Sequence, residues 1–290
     1  MDGQIQVYLG ADGVQAKIRS RLPSCSRGER RVAEYILAHP SQVIYQSVTE
    51  VAAATETSEA TVIRFCQALG YRGYHEFKVA LAQDLVVPTP SISEAVRPED
   101  DLPSMSRKLL AHHVQVLQDT LRVLDMGQLE RAIDAIVRAR KVEFYGVGAS
   151  GLTAAIAKSK FLRIGKLCDA LLDSNMQAMS ARMLTPQDVA VGISHSGSNK
   201  DTLHALRMAK EAGARIIVIT NFARSPVTQV AEIVLLTASR ETPMQSGSLA
   251  SQIAQIFVLD LLFTGVVMQT FEASRLAYEK AAQAIYERMV

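Results

Sequence analysis

Residues 47–74 read SVTEVAAATETSEATVIRFCQALGYRGY and contain two short helical patterns separated by a polar break. Ser47 followed by Glu50 is the capping-box pattern that begins a helix, and Ser58 is a good N-cap for the second helix. Two short helices joined by a tight turn are typical of a helix-turn-helix, whose second helix enters the major groove of DNA. The stretch therefore predicts a DNA-binding motif, with an ordinary pair of bundle helices as the alternative.

Polar side chains at the start of the second helix are the candidates for contact with DNA. The apolar residues of that helix recur at helical spacing and are expected to pack inward, which leaves its polar and cationic side chains facing outward. Such side chains reach base edges and phosphates. We predict DNA contacts by Ser58, Thr61, Arg64, Arg72 and Lys78, the last two to phosphates. Three nearby carboxylates, those of Glu50, Glu56 and Glu59, must then be held away from the phosphates.

Length and composition limit the classes of protein that fit. The chain has 290 residues, enough for two domains with separate cores. Its formal net charge of +2 is too small for a surface that binds nucleic acid throughout, so any contact with DNA must be local. The cysteines lack the spacing of metal ligands, and Cys66 and Cys168 lie in apolar stretches, so we expect buried reduced thiols and no metal site. With no signal-peptide pattern at the N-terminus, we expect a cytoplasmic protein.

The sequence pattern changes twice along the chain. Residues 1–86 have helical patterns, and residues 87–104 contain Pro88, Pro90, Pro98 and Pro103 with a small acidic cluster, which is typical of a linker. Helical patterns resume at residue 105, and beyond residue 140 short apolar strands alternate with amphipathic helices. We predict strands at Val142–Tyr145, Leu167–Leu172, Asp188–Ser194, Arg215–Thr220 and Ile233–Leu236, and closing helices at Gly247–Gln269 and Ala273–Met289.

Strands separated by helix-length segments need crossover connections, and these require a largely parallel sheet covered on both faces. We therefore predict an all-α helix-turn-helix domain at residues 1–86, a linker at 87–104, and an α/β three-layer domain with a central parallel five-stranded sheet at 105–290. The longest apolar run, Ile253–Met268, is interrupted by Gln255 and Asp260. A buried or interface helix fits that run better than a membrane span.

Two loops that follow predicted strands carry glycine and hydroxyl residues where the next helix begins. The loop at residues 146–151, GVGASG, has neither the spacing of a dinucleotide fingerprint nor the Gly-Lys-Ser/Thr of a Walker loop. The loop at residues 194–199, SHSGSN, brings hydroxyls and backbone N–H groups to a helix N-terminus, which is typical of an anion site. It suits a phosphate monoester, whereas a solvated N-cap turn, the alternative, needs only one serine. His195 either contacts the ligand or faces solvent.

Together, the two halves resemble the RpiR family of bacterial transcription regulators over nearly the whole chain. The resemblance lies in SEATVIRFCQALGYRGYHEFK (58–78) for a helix-turn-helix domain, and in FYGVGASG (144–151), KFLRIGK (160–166) and ISHSGSNKDT (193–202) for a sugar isomerase (SIS) domain. It implies a homodimer or homotetramer that binds operator DNA and senses a phosphosugar or a related phosphorylated metabolite. We expect no cofactor and no membrane partner.

The resemblance also points to effector-binding residues. In SIS domains the motif that matches SHSG (194–197) cradles the phosphate, and Ser150 matches a serine that lines the sugar. Asn199 stands where a threonine is usual, so Ser198 or Thr202 would supply the missing hydroxyl. We predict effector contacts by Ser150, Ser194, His195, Ser196, Ser198, Asn199, Thr202 and Glu241.

A phosphosugar isomerase is the alternative function, since similar domains catalyse aldose–ketose interconversion. That reaction needs a base and usually a group that opens the ring. SIS isomerases tend to draw a histidine from a late helix or loop, and this chain has none after His204. Glu241 matches a position where family members often carry an acidic residue, but it is a single carboxylate. We therefore predict binding without turnover, and dimerisation through apolar C-terminal helices such as Gln252–Met268.

Overall fold

The structure is a computed structural model that describes residues 13–85, 96–97, 99–239 and 248–286. Its contacts divide these residues into two compact units, a helical unit at residues 13–85 and a second unit formed by the described residues from 96 onward. The helical unit has one large apolar core, and the second unit has a large apolar core on each face of its sheet.

The helical unit contains six α-helices and a short 3-10 turn at Leu22–Ser24. The helices are α1 (Val14–Arg21), α2 (Arg27–Ala38), α3 (Pro40–Val43), α4 (Val48–Ala54), α5 (Glu59–Ala68) and α6 (Tyr74–Leu85). Two of them begin with complete capping boxes, Ser26 with Glu29 for α2 and Ser47 with Glu50 for α4. Apolar side chains from all six helices form the core, including the fully buried Phe65.

The turn between α4 and α5 is closed by hydrogen bonds. Thr55 Oγ1 donates to the Val51 carbonyl at 2.7 Å, and the Thr57 N–H donates to the Ala52 carbonyl at 2.9 Å. Glu56 takes a left-handed conformation with φ of 48°, which redirects the chain in a single residue. Helices α4 and α5 with this turn form the predicted helix-turn-helix.

The second unit is an α/β domain. Its elements are α7 (Leu102–Val123), α8 (Met126–Arg138), β1 (Val142–Tyr145), α9 (Ala149–Arg163), β2 (Cys168–Asp169), α10 (Ser174–Arg182), β3 (Val189–Ile193), α11 (Lys200–Glu211), β4 (Arg215–Thr220), α12 (Pro226–Val230), β5 (Ile233–Leu236), α13 (Leu249–Gln269) and α14 (Phe271–Tyr286). The five strands are all parallel, in the order β2-β1-β3-β4-β5. This sheet, with helices on both faces, confirms the predicted fold class.

Alternate residues of the strands supply two separate cores. Val142 and Phe144 of β1 face a core shared with α8, α9 and α13, in which the Phe161 ring lies 5.4 Å from the ring of Phe144. Tyr145 faces the opposite core, shared with α10 and α11. Helix α13 is long and apolar enough to cross a membrane by length and composition, but its buried residues pack within the unit against α7, α8 and α9.

The largest differences from the predicted elements concern β2 and the helices before β1. Strand β2 is only Cys168–Asp169, because it pairs with β1 alone at the edge of the sheet. Helix α7 begins at Leu102, inside the predicted linker, because Asp101 caps it by accepting the Ser104 N–H at 2.9 Å. Asp125 caps α8 in the same way and separates it from α7. Of the predicted linker, residues 87–95 and 98 lie outside the described residues.

Candidate functional site

The N-terminal half of α5 and its N-cap bring together three of the residues predicted to contact DNA. Ser58 is the N-cap, and its Oγ accepts the Thr61 N–H at 3.2 Å and lies 2.9 Å from Thr61 Oγ1. Arg64 Nη2 donates to Thr61 Oγ1 at 3.4 Å. Ser58 and Arg64 are exposed and Thr61 is half-buried. This arrangement presents two hydroxyls and a guanidinium group at the end of the helix that enters DNA in a helix-turn-helix.

Each of the three carboxylates near this surface is engaged within the helical unit. Glu50 accepts the Ser47 N–H at 2.7 Å as part of the capping box. Glu59 accepts the Thr49 hydroxyl at 2.6 Å, which ties α5 to α4. Glu56 pairs with Arg31 of α2 at 3.2 Å. These contacts give all three side chains a role in the fold of the motif.

Arg72 and Lys78, the two predicted phosphate contacts, lie in opposite environments. The Arg72 side chain is 93% exposed, and its backbone N–H donates to Glu76 at 2.5 Å, which lowers the pKa of that carboxyl. Lys78 is only 8% exposed, and its ammonium group donates to the Gln46 carbonyl at 2.9 Å. The structure corrects the prediction for Lys78, because this ammonium group is committed to the interior of the helical unit.

The second site lies at the carboxyl edge of the parallel sheet. In the strand order β2-β1-β3-β4 the connection after β1 leads to β2 on one side, and the connection after β3 leads to β4 on the other side. The two connections diverge between β1 and β3, which is therefore the topological switch point of the sheet. Open α/β sheets bind ligands in the crevice outside such a point. Tyr145 pairs with Gly192, so the loops after β1 and β3 start at the same edge, side by side.

The end of β1 is fixed by a buried polar cluster around Glu143, which is 1% exposed. Its carboxylate accepts Lys141 Nζ at 2.5 Å and Ser180 Oγ at 2.5 Å, and it also accepts the Tyr145 hydroxyl. Burial, followed by the neighbouring Glu143 charge, raises the pKa of Tyr145, so its hydroxyl stays protonated as a donor. Tyr145 is the residue before Gly146, so the cluster anchors the start of the first loop.

In the first loop, at residues 146–151, the chain turns so tightly that Gly146 lies against the backbone of Ser150. A Cβ on Gly146 would lie 2.6 Å from the Ser150 carbonyl oxygen, so only glycine fits there. Gln177 Nε2 holds the loop by donating to the Gly146 carbonyl at 2.8 Å. Ser150 accepts Gln255 Nε2 from α13 at 3.3 Å, and Gln255 Oε1 accepts the Thr153 hydroxyl at 3.2 Å.

The second loop ends at the N-terminus of α11. Asn199 is the N-cap, and its Oδ1 accepts the Thr202 N–H at 2.9 Å. The Ser198 N–H donates to Ser196 Oγ at 3.3 Å, which folds the loop on itself. Gly197 has a φ of +62°, and the Val227 N–H donates to its carbonyl at 3.0 Å from the neighbouring helix α12.

The predicted effector residues differ in how far they are accessible. Ser196, Ser198 and Asn199 are half-buried, as is His195, whose ring lies 5.9 Å from the ring of Phe222. Ser194 is 4% exposed. Thr202 is fully buried, with an Oγ1 that has no hydrogen-bond partner among the described residues, so a ligand reaches it only if the loop opens. Glu241 lies outside the described residues.

Sequence reasoning missed the glutamines that support the first loop. Gln255 was visible only as a polar interruption of an apolar run, and its partner Ser150 is 105 residues away. Gln252 likewise donates to the Ala149 carbonyl at 3.0 Å. Gln177 carried no signal in the sequence. Three polar side chains on amphipathic or apolar helices are thus recognised as part of the site only from the fold.

Comparison with known proteins fixes the family. Residues 12–87 match the helix-turn-helix domain of the rpiR family, and residues 135–265 match the SIS domain. An uncharacterized HTH-type transcriptional regulator of Haemophilus influenzae is 36% identical over 278 residues, which cover 94% of this chain and 96% of that protein. The chain belongs to the RpiR family of HTH-type transcriptional regulators. HexR of Pseudomonas aeruginosa, another HTH-type transcriptional regulator, is 34% identical over 253 residues, covering 87% of this chain and 88% of HexR.

One solved structure is similar over most of the chain. Vibrio vulnificus NanR in complex with ManNAc-6P aligns with a TM-score of 0.84 at 29% identity, covering 96% of this chain and 100% of NanR. Both of these relatives are named HTH-type transcriptional regulators, and this chain covers 96% and 88% of their lengths. This RpiR-family chain is therefore a DNA-binding transcriptional regulator that carries a SIS domain, and not an isomerase.

Proposed function

We propose that the loop at residues 194–199 binds the phosphate group of a phosphorylated sugar, and that this binding changes the affinity of α5 for operator DNA. The observation that carries the proposal is the position of this loop at the switch point of the sheet, directly before the N-terminus of α11. Ligands of open α/β sheets bind at this place.

The start of α11 suits an anion. The first N–H groups of a helix have no acceptor within the helix, so those of Lys200 and Asp201 remain available to a phosphate, whereas that of Thr202 is taken by Asn199. The helix dipole favours negative charge at the same place. The Ser196 and Ser198 hydroxyls lie in the loop just before it. NanR, which shares this fold over its whole length, holds ManNAc-6P, a phosphorylated sugar, and this supports the same class of effector here.

The sugar would then lie toward the first loop. Ser150 is half-buried at the start of α9, and its hydroxyl is oriented by Gln255. The N-terminus of α9 follows Gly148, whose φ of +61° turns the chain into the helix. Two helix N-termini at the ends of adjacent strands thus frame one anionic ligand.

A matched pair of ligands tests the proposal. Purified protein is screened by thermal shift against amino-sugar, pentose, hexose and sugar-acid phosphates, each beside its unphosphorylated parent. The phosphorylated hit should raise the Tm and the parent should not, because ligand that binds only the folded protein stabilises it by mass action. The same hit should change the affinity for the DNA beside the protein's own gene, measured by fluorescence anisotropy. A complete screen with no stabilising phosphosugar would overturn the effector assignment.

We also propose a homodimer or homotetramer in the cytoplasm. A helix-turn-helix regulator reads two half-sites with two copies of its reading helix. The SIS unit exposes apolar side chains on its outer helices, including Leu152 of α9 at 57%, Met179 of α10 at 61% and Met268 of α13 at 74%. Such side chains support self-association. Light scattering on a sizing column should give at least twice the mass of the chain, and a monomer at the concentrations that bind DNA would contradict this.

A further inference from the structure

Helix α7 is joined to the sheet edge by one buried hydroxyl. Thr120 is fully buried near the C-terminal end of α7, and its Oγ1 accepts the Ala238 N–H at 3.1 Å. Ala238 lies in the segment at residues 237–239 that follows β5. Along the chain, α7 is the helix that follows the stretch leading out of the helical unit. Whatever shifts Ala238 therefore acts directly on α7.

Asn221 connects the same segment to the proposed phosphate loop. Its backbone N–H donates to the His195 carbonyl at 3.1 Å, and its Oδ1 accepts the Ser239 N–H at 2.7 Å. Thr220 Oγ1 donates to the same His195 carbonyl at 3.3 Å. Asn221 thus bonds on one side to the loop and on the other to the residue next to Ala238.

We infer that Asn221 and Thr120 are positioning residues that couple occupancy of the phosphate loop to the placement of α7, and this inference rests on the proposed function. The chain of contacts runs from the His195 carbonyl through Asn221 to residues 238–239 and on to Thr120. A ligand that draws the loop toward its phosphate moves the His195 carbonyl and with it the Asn221 backbone. Effector binding shifts DNA affinity only through such a difference between two arrangements of the protein.

A second contact ties the long helix α13 to the same segment. Ser239 Oγ donates to Ser251 Oγ at 3.0 Å, and Ser251 is 2% exposed in the first turn of α13. Helix α13 in turn packs against α7, where Ala250 and Ala254 meet Val116. Residues 237–239 therefore hold both long helices, which makes this segment a junction rather than a free loop.

Removing the Thr120 hydroxyl tests the coupling. We expect the Kd of Thr120→Val for the phosphosugar alone, and its Kd for DNA alone, to lie within about threefold of the wild-type values. The ratio of DNA affinities with and without the phosphosugar, typically about 5- to 150-fold in coupled systems, should fall below about twofold. Asn221→Ala should lower the same ratio. Thr120→Ser keeps a hydroxyl that can accept the Ala238 N–H, so this variant should keep the wild-type ratio. Thr270→Val, which removes a hydroxyl at the C-terminal end of α13 bonded to the Val266 carbonyl, is the matched control and should keep it.

Hydrogen exchange on the wild-type protein gives an independent readout. Adding the phosphosugar should change the protection of the Ala238 and Ser239 amides, and amides in the last turns of α7 should follow. The inference is overturned if the phosphosugar changes the DNA affinity of Thr120→Val and Asn221→Ala as much as that of the wild type, and leaves the protection of the Ala238 amide unchanged. In that case the proposed function still stands. If the wild type binds no phosphosugar, the proposed function fails and the inference falls with it.

Discussion

Gly197 lies so close to Ser225 that a Cβ at position 197 would be 2.1 Å from Ser225 Oγ and 2.4 Å from Ser225 Cβ. Its φ of +62° is also a conformation that residues with side chains rarely adopt. Ser225 is fully buried at the start of α12 and cannot move aside without disturbing that helix. The loop at residues 194–199 therefore has its shape because glycine, and no larger residue, occupies this position.

Gly197→Ala should weaken phosphosugar binding. The added methyl group must displace the loop, and with it the N–H groups and hydroxyls proposed to meet the phosphate. Isothermal titration with the phosphosugar found by thermal shift measures the loss, which we expect to exceed about tenfold in Kd, or 1.4 kcal/mol.

Gly213→Ala is the matched control for Gly197→Ala. Gly213 also has a positive φ, of +91°, and its Cβ would lie 2.9 Å from Pro186 Cγ, but it lies before β4, at the opposite edge of the sheet from the loop. This variant should lose stability and keep phosphosugar affinity. Equal losses of affinity in both variants would show that general destabilisation, and not loop geometry, is responsible.

Local patterns in the sequence were sufficient to predict the elements that depend on near neighbours. The capping box of Ser47 with Glu50 and the N-cap Ser58 defined the helix-turn-helix, and both contacts span three residues. The strand-loop-helix pattern around residues 194–199 placed the second site at the sheet edge. In each case the residues that interact are close in the chain, so periodicity and turn chemistry reveal them.

Contacts between distant residues were beyond prediction. Lys78 looked like a surface cation, but its acceptor, the Gln46 carbonyl, is 32 residues away. Thr120 and Ala238 are 118 residues apart, and neither belongs to a recognisable motif. A buried hydrogen bond of this kind satisfies a polar group that the fold has removed from water, so the need for it exists only once the fold is formed.

Lys78→Ala should destabilise the helical unit and leave the salt dependence of DNA binding unchanged. The substitution removes the ammonium donor from the Gln46 carbonyl, which keeps the Tyr74 hydroxyl as a donor at 3.2 Å, so we expect a loss of about 0.5–1.5 kcal/mol. Calorimetry on the full chain measures the Tm of the helical unit. A salt titration of DNA affinity gives the second readout: a slope reduced by about one, with Tm unchanged, would instead indicate a lost phosphate contact.

Asp188→Asn should destabilise the SIS unit and make its free energy of unfolding less dependent on pH in the acid range. Asp188 is 1% exposed, and its Oδ2 accepts Arg140 Nη2 at 2.7 Å and both the N–H and hydroxyl of Thr185 at 2.8 Å. Burial acts to raise the pKa of this carboxyl, but the hydrogen bonds from Arg140 and Thr185 together outweigh it and hold the pKa below its ordinary value.

A lowered pKa sets the direction of the pH effect. The stabilisation by Asp188 is present above the unfolded pKa of about 3.9 and is lost as the pH falls through the lower folded pKa. Urea unfolding at neutral pH should show a loss of about 1–3 kcal/mol in Asp188→Asn, with a smaller further loss on acidification than in wild type. Asp125→Asn keeps a competent N-cap for α8 and should change stability by only a few tenths of a kcal/mol. If the free energy of unfolding of Asp188→Asn fell with decreasing pH as steeply as that of the wild type, the acid sensitivity would not arise from Asp188.

Arg64→Ala should weaken operator binding by about 1–3 kcal/mol. The guanidinium group of Arg64 lies exposed on α5, beside Thr61 in the first turn of that helix. Fluorescence anisotropy with operator and scrambled duplexes distinguishes the kind of contact: loss on the operator alone indicates a base contact, and equal loss on both indicates a phosphate contact. Arg19→Ala removes another exposed arginine, from α1, and is the matched control. The two variants carry the same charge, so a similar loss of affinity in both would mean that general electrostatic attraction, and not α5, determines binding. Unchanged helical content and an unchanged Kd for the phosphosugar in Arg64→Ala would show that the loss arises at the DNA interface.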